Sequence, residues 1–148
     1  MKDTDLTIEL GDTKLNIRVA VLIKTKNGYV FEKNPEGFYF VIGGRVKINE
    51  SSEQAAKREV FEEVGINLEK VKMRAVIENF FSVGSDKYFH EICFVYLAEE
   101  LHELNLGSNF KEFNDMEIDD VDLRPEIMKE IIRGDDNELI HVIYKNNR

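Results

Sequence analysis

The chain has 148 residues, 43% of them hydrophobic, and a net charge of −9. This length predicts a single domain over residues 1–148, and the negative charge argues against binding of long nucleic acids. Cys93 is the only cysteine, which excludes an intrachain disulfide and favours a reducing compartment, the cytoplasm. No apolar run is long enough to predict a membrane span.

Four strands are predicted in the first part of the chain, at residues 6–10, 15–24, 29–32 and 38–42. Alternating or β-branched hydrophobic residues mark each of them, and Asn27-Gly28 is a strong hairpin signal between the second and third. The fourth strand leads directly into Gly43-Gly44. The strand at 6–10 is a candidate edge for pairing with a second copy, so a homodimer is one expectation.

A helix is predicted over residues 51–64. Ser51 suits the N-cap, and Gln54 stands three residues later, the spacing of a capping box. The residues that follow are good helix formers. Gly65 suits the left-handed position that commonly follows a helix.

Three glutamates lie on one side of this predicted helix. Glu59, Glu62 and Glu63 are spaced three and four residues apart, and like charges at this spacing destabilise a bare helix. Arg58 supplies one countercharge, and a divalent cation would supply more. Oxygen ligands favour Mg²⁺ or Mn²⁺. The alternative is a solvated acidic face, the usual state of such clusters.

Two more strands are predicted at 70–83 and 87–98, joined by a turn at residues 84–86. An acidic loop is predicted over 99–122. A second helix is predicted with Pro125 at its first position and Gly134 as its cap, and a last strand over 138–145. This order of elements predicts an α/β fold, with a mixed sheet flanked by helices.

Residues 44–66 fit the pattern G-x5-E-x7-R-E-U-x-E-E-x-G-U, where U is a bulky aliphatic residue, at all nine specified positions. This segment resembles the signature of the Nudix hydrolase family, the MutT-like diphosphohydrolases. Three nearby residues differ from what is common in the family: Ile42 stands at a frequent proline, Lys47 at a frequent acidic residue and Asn49 at a frequent glycine. Asn49 is tolerable there because asparagine adopts left-handed backbone conformations.

The resemblance implies an α/β/α sandwich and an enzyme that acts on phosphoric anhydrides. It implies hydrolysis of a diphosphate linkage in a nucleoside diphosphate attached to another group X, with Mg²⁺ or Mn²⁺ as cofactor. By position, the implied metal-site residues are Glu59, Glu62, Glu63 and the Gly44 carbonyl, with Arg58 orienting the glutamates and Glu50 supporting them. Among the helix residues, Glu59 is the expected proton acceptor, and the 99–122 loop is the alternative source of one.

Substrate contacts are expected outside the signature. Aromatic side chains after the helix are candidates for stacking on a nucleobase, although packing within the sheet also explains them. Two glutamates of the acidic loop are candidates for a substrate contact or for an extra base, and a solvated loop also explains these. The candidate substrate residues are Arg18, Phe80, Phe81, Tyr88, Glu112 and Glu117.

The expected substrate is a small nucleotide such as ADP-ribose, a nucleotide sugar or a (d)NTP. Dinucleoside polyphosphates and capped RNA ends stay open, because substrate choice resides outside the signature. The alternative from another functional class is a catalytically weak module that binds and senses a nucleotide. Loss of metal ligands would be the natural sign of such a module, and every signature position is present.

Overall fold

The computed structural model describes residues 3–101 and 106–146, which form ten strands and two α-helices. The strands are β1 Thr7–Leu10, β2 Thr13–Thr25, β3 Gly28–Lys33, β4 Tyr39–Phe40, β5 Ile42–Arg45, β6 Lys72–Val83, β7 Lys87–Leu101, β8 Phe110–Phe113, β9 Leu123–Arg124 and β10 Ile140–Asn146. The helices are α1 Ser52–Val64 and α2 Ile127–Arg133, with a 3₁₀ turn at Ile118–Asp120. Neither α-helix is long and apolar enough to cross a membrane.

Strand β2 organises the sheet. One of its edges pairs in parallel with β7, and its other edge pairs in turn with β1, β5 and β3, all antiparallel. The main strand order is β10-β6-β7-β2-β3-β4-β9, with β8 added to β3. Parallel and antiparallel pairs therefore occur together, and the predicted mixed sheet is confirmed.

The two faces of the sheet carry separate hydrophobic cores. Along β2, Val19 and Val21 pack with residues of α1, whereas Ala20 and Leu22 pack with residues of α2 such as Met128. Successive side chains of a strand point to opposite faces, so the two helices cover opposite sides. We call these sides the α1 face and the α2 face. The predicted α/β/α sandwich is confirmed.

Helix α1 begins and ends as predicted. The Gln54 backbone N–H donates to the Ser51 hydroxyl at 3.0 Å, and the Ser51 N–H donates to the Gln54 side chain at 2.9 Å, which completes the capping box. Gly65 follows the helix in the left-handed conformation, with φ of 75°. The helix packs on the sheet through Ala55, Ala56 and Val60.

The prediction of one strand over 38–42 was wrong. The segment forms two strands, because the chain changes partners within it: β4 pairs with β3 and β9, whereas β5 pairs with β2. Strand β5 also extends through Gly43 and Gly44 to Arg45. The two glycines are therefore part of the sheet and are held in register by β2.

The acidic segment 99–122 is not wholly a loop. Strand β7 continues to Leu101, and β8 pairs antiparallel with β3 and buries Phe113. With four residues, β8 is too short for a clear alternating pattern, and its acidic surroundings favoured a loop assignment.

Helix α2 starts later than predicted. Its first residue is Ile127, and Pro125 precedes it after a cis peptide bond. Gly134 follows the helix in an extended conformation, with φ of −72° and ψ of 175°, and not in the left-handed one. A side chain from the sheet caps this end instead: Arg74 donates from Nη2 to the Ile131 carbonyl at 2.5 Å.

Arg74 lies in β6 and is fully buried. Besides Ile131, it donates from Nη1 to the Glu138 carbonyl at 2.7 Å, and its Nε lies 3.4 Å from Asp136 Oδ1. One guanidinium therefore holds the end of α2 and the segment before β10 against β6.

Candidate active site

Three of the predicted acidic residues share one guanidinium. Arg58 donates from Nε and Nη2 to the two carboxylate oxygens of Glu50, at 2.7 and 2.9 Å. Its Nη1 donates to Glu59 at 2.9 Å and to Glu62 at 3.3 Å, and Nη2 also reaches the Arg45 carbonyl at 3.0 Å. Paired, charge-assisted bonds of this kind fix geometry as well as charge.

Glu50 is fixed from two sides. Besides Arg58, the backbone N–H of Lys47 donates to it at 3.0 Å, across a turn in which Asn49 adopts the predicted left-handed conformation with φ of 65°. Burial works against ionisation of this carboxyl, but the bonds from Arg58 and Lys47 outweigh it and lower its pKa. Glu50 therefore remains charged and holds Arg58 in place.

The glycine pair allows β5 to approach α1 closely. A Cβ at Gly44 would lie 2.3 Å from Glu59 Oε1, and a Cβ at Gly43 would lie 2.1 Å from the Val19 carbonyl oxygen. The backbone contact requires glycine at position 43, whereas a side chain at position 44 would displace the carboxylate of Glu59. Burial raises the pKa of Glu59, although Arg58 opposes the rise.

Glu63 differs from the other carboxylates of the cluster because it forms no bond with Arg58. Its Oε2 is buried and has no hydrogen-bond partner. Burial, followed by repulsion from Glu32, Glu59 and Glu62, raises its pKa to about 8, and a bond from the Gly43 backbone offsets only part of this. The last turn of α1 has no basic residue, and the C-terminal end of a helix disfavours negative charge. Among the described residues, Glu63 forms no ion pair with a basic side chain.

These donors suit a hard divalent cation. They are carboxylate oxygens with the backbone of Gly44 beside them, and one of the oxygens is buried without a partner. Within residues 3–101 and 106–146, no three acidic, histidine or cysteine side chains already converge as a complete cage. Glu50, Glu59 and Glu62 are bonded to Arg58 instead. Mg²⁺ commonly keeps several waters and takes substrate phosphates, so a partial cage fits it.

A cleft of about 350 Å³ opens on the α2 face, beside the glutamates. This volume is within the usual range for small-molecule sites. Gly43 and Arg18 both line this cleft. The backbone of Gly43 also forms a hydrogen bond with Glu63, and the positive charge of Arg18 acts to lower the pKa of Glu59. The cleft therefore borders the carboxylates across β5. Its lining includes Arg18, Phe40, Gly43, Asn79, Phe81, Glu91, Cys93, Arg124 and Met128.

The predicted substrate residues fall in different places. Arg18 and Phe81 line the cleft. Phe80 and Tyr88 line a second groove at the β6–β7 hairpin, which Phe81 also borders, and the Phe80 ring stacks on His90 there with centroids 4.4 Å apart. Of the six predicted substrate residues, the structure therefore brings Arg18 and Phe81 together at the cleft.

The two glutamates predicted from the acidic segment are engaged elsewhere. Glu112 accepts a bond from the Thr25 hydroxyl at 2.5 Å and one from the Asn27 side chain at 3.3 Å, at the β2–β3 turn. Glu117 accepts the Asn114 N–H at 3.0 Å. Neither residue lines the cleft.

Three polar residues of the cleft were not predicted. Among the described residues, Asn79 has a buried Oδ1 without a hydrogen-bond partner. Glu91 accepts a hydrogen bond from Asn16 Nδ2 at 2.7 Å. Arg124 lies over the Phe38 ring, 4.0 Å from its centroid. Asn79 was detectable from its spacing, since it stands two residues before Phe81 and shares its face of β6. No pattern in the sequence indicated that Arg124 would line the cleft.

Comparisons with known proteins agree with the fold and the site. The family model of the NUDIX domain matches residues 13–136, so the chain belongs to the Nudix family and is an enzyme of the pyrophosphohydrolase class. The resemblance of residues 44–66 is confirmed. A search of curated proteins found no match to the chain.

Solved structures show the same fold. A MutT protein from Bacillus halodurans shares 16% identity, with 85% of this chain and 89% of that chain covered and a TM-score of 0.69. The E. coli ORF135 protein shares 22%, covering 84% and 91%, with a TM-score of 0.61. A C. elegans Ap4A hydrolase shares 17%, covering 80% and 94%, with a TM-score of 0.60. At these identities the likeness concerns the fold alone.

Proposed function

We propose that this chain hydrolyses a diphosphate linkage in a small nucleotide of the type nucleoside diphosphate–X, with Mg²⁺ or Mn²⁺. The observation that carries the proposal is the position of β5 between cleft and carboxylates: Gly44 lies against Glu59, and Gly43 both lines the cleft and bonds Glu63. A nucleoside held in the cleft would thus direct its phosphates toward the glutamates. One Nudix domain over residues 1–148 is part of this proposal.

In this proposal the carboxylates of Glu59, Glu62 and Glu63 and the Gly44 carbonyl hold the cation. When bound, the cation neutralises diphosphate charge and lowers the pKa of a bound water. Arg58 positions the glutamates and is itself anchored by Glu50.

Glu59 is the proposed proton acceptor. Water attacks phosphorus, the bridging P–O bond breaks, and the Glu59 carboxylate takes the proton of the water. Glu112 already bonds Thr25 and Asn27, and Glu117 already bonds Asn114. We therefore favour Glu59 over Glu112 and Glu117 as the proton acceptor.

The cleft accounts for binding of the nucleotide. Arg18 supplies positive charge at the border with the carboxylates, and Phe81 supplies a ring for the base. Its volume of about 350 Å³ favours one nucleoside over a longer chain.

The experiment that tests the function is a product screen with Mg²⁺ and separately with Mn²⁺. It covers ADP-ribose, nucleotide sugars, (d)NTPs including 8-oxo forms, and dinucleoside polyphosphates, with Glu63→Gln as the blank. Metal-dependent cleavage of one class, absent in the blank, is the expected result. Tight metal-dependent binding without turnover would instead establish a nucleotide-sensing module.

A homodimer is also proposed, through β1. Within the described residues β1 pairs only with β2, and its Ile8 and Leu10 are 53% and 68% exposed. Light scattering should give twice the chain mass for the wild type and less for Leu10→Lys, because a charge on an edge strand blocks pairing. A monomeric wild type would contradict the proposal.

A further inference from the structure

One acidic residue outside the signature faces Glu63 from the sheet. Glu32 lies in β3, where Tyr29 and Phe31 pack in the core of the α2 face and Val30 packs in the core of the α1 face. Glu32 stands two residues after Val30, so it shares the α1 face. It therefore lies on the same side of the sheet as α1, on an element separate from the helix.

Each of the two carboxyls has one unsatisfied oxygen. Glu32 Oε1 and Glu63 Oε2 are buried, and neither has a hydrogen-bond partner among residues 3–101 and 106–146. Burial also raises the pKa of Glu32, and among the charges that act on Glu63 that of Glu32 is the strongest, ahead of Glu59 and Glu62. Two neighbouring carboxyls, each with a buried oxygen that has no partner, are stabilised by a proton or a cation.

Within the described residues, no basic side chain pairs with either carboxyl. Arg58 is committed to Glu50, Glu59 and Glu62, and the last turn of α1 has no basic residue. Across residues 3–101 and 106–146, neither Glu32 nor Glu63 takes part in an ion pair within 4.0 Å.

We propose that Glu32 is an additional ligand for the divalent cation, acting opposite Glu63 and extending the metal site from α1 onto the sheet. This inference rests on the proposed function, because it concerns the same site. It assigns a role to a residue that lies twelve positions before Gly44 and outside the signature. A site held from both helix and sheet would fix the cation relative to the cleft.

Titration of the metal-free protein with Mn²⁺ alone tests the proposal, with free Mn²⁺ measured by electron paramagnetic resonance. Glu32→Gln and Glu63→Gln are each expected to weaken Mn²⁺ binding by about 10–100-fold. Glu9→Gln is the matched control, since it removes the same charge from an exposed position on β1. Its Mn²⁺ affinity should stay within about twofold of wild type.

Thermal unfolding in EDTA supplies a second readout. Without metal, Glu32→Gln should melt at a higher temperature than the wild type, because it removes one of two buried, mutually repelling carboxyls. Added Mn²⁺ should then raise its melting temperature less than it raises that of the wild type. A lower melting temperature in EDTA, with a full Mn²⁺ effect, would make Glu32 a packing residue and overturn the proposal.

The two variants distinguish an error in the role of Glu32 from an error in the whole metal site. Unchanged Mn²⁺ affinity in Glu32→Gln, with a loss in Glu63→Gln, overturns the role of Glu32 and leaves the proposed function intact. Unchanged affinity in both variants overturns the metal site on which the proposed function depends.

Discussion

The α1 face and the α2 face of the sheet carry different kinds of side chains. The α1 face carries a dense set of carboxylates organised by Arg58, whereas the α2 face carries a cleft with a largely apolar wall and a few polar side chains. They meet at Gly43 and Gly44 of β5. The carboxylates on the α1 face come from one short, rigid segment of the chain. The residues that line the cleft, where the nucleotide is proposed to bind, come from several strands and from α2.

This division has a kinetic consequence. Substitutions on the α1 face should lower kcat or stability, because they alter charge at the reacting centre or the bonds that fix it. Substitutions in the cleft should raise KM, because they alter binding of the nucleoside. Four variants test the division, from the largest expected effect to the smallest.

Glu63→Gln should lower kcat by about a thousandfold, because stabilisation by a bound metal is worth several kcal/mol and each 1.4 kcal/mol is about tenfold. Stability of the metal-free protein should not fall, since the side chain has an oxygen that is already unpartnered. Steady-state kinetics and urea unfolding in EDTA measure the two effects. A near-wild-type kcat would remove Glu63 from the metal site.

Arg58→Ala should lower the free energy of unfolding by about 3 kcal/mol, because Glu50 and Glu59 would be left largely buried without their partner. Urea unfolding measures this, and turnover should fall with it. Arg58→Lys is the control that keeps the charge but loses the paired donors, so it should give an intermediate loss. An unchanged rate and stability in Arg58→Ala would make Arg58 a surface residue.

Glu50→Gln should lower stability at pH 7 by about 2 kcal/mol, the size of a charge-assisted hydrogen bond. The pKa of Glu50 is lowered in the folded protein, so its contribution is full above the unfolded pKa and disappears as pH falls through the folded one. Urea unfolding between pH 7 and pH 3 should show the wild type and the variant converging in acid. A gap that persists at pH 3 would refute the charge-based account.

Phe81→Ala should raise KM about tenfold with little change in kcat, the loss expected for one aromatic contact. Phe80→Ala is a close control, because each residue stacks across the β6–β7 hairpin but only Phe81 lines the cleft. KM of the Phe80 variant should stay within about twofold of the wild type. Equal effects of the two variants would place the nucleoside outside the cleft.

The sequence could predict the α1 face because its parts lie at fixed short distances along the chain. Ser51 and Gln54 set the start of the helix, and helical geometry then aligns Glu59, Glu62 and Glu63. Glu50 and Arg58 are eight positions apart, and the turn at Asn49 brings them together. The mixed sheet followed from strand patterns and hairpin signals.

The cleft could not be predicted in the same way. Arg18 and Phe81 come from strands separated by α1, and nothing in their local sequence distinguishes Phe81 from Phe80. The register of β6 against β7 decides which ring faces the cleft. Glu32 was missed for the same reason, since its proximity to Glu63 is a property of the packed helix and sheet.

The burial of Arg74 bears on how this fold tolerates change. Its guanidinium holds α2 through the carbonyl oxygen of Ile131 and the segment before β10 through that of Glu138, and main-chain carbonyls are present whatever the side chains are. The attachment of α2 is therefore partly independent of its sequence. Met128 lines the cleft but is also buried in the core of the α2 face, so exchanging it would leave the bonds from Arg74 in place and alter the packing of α2.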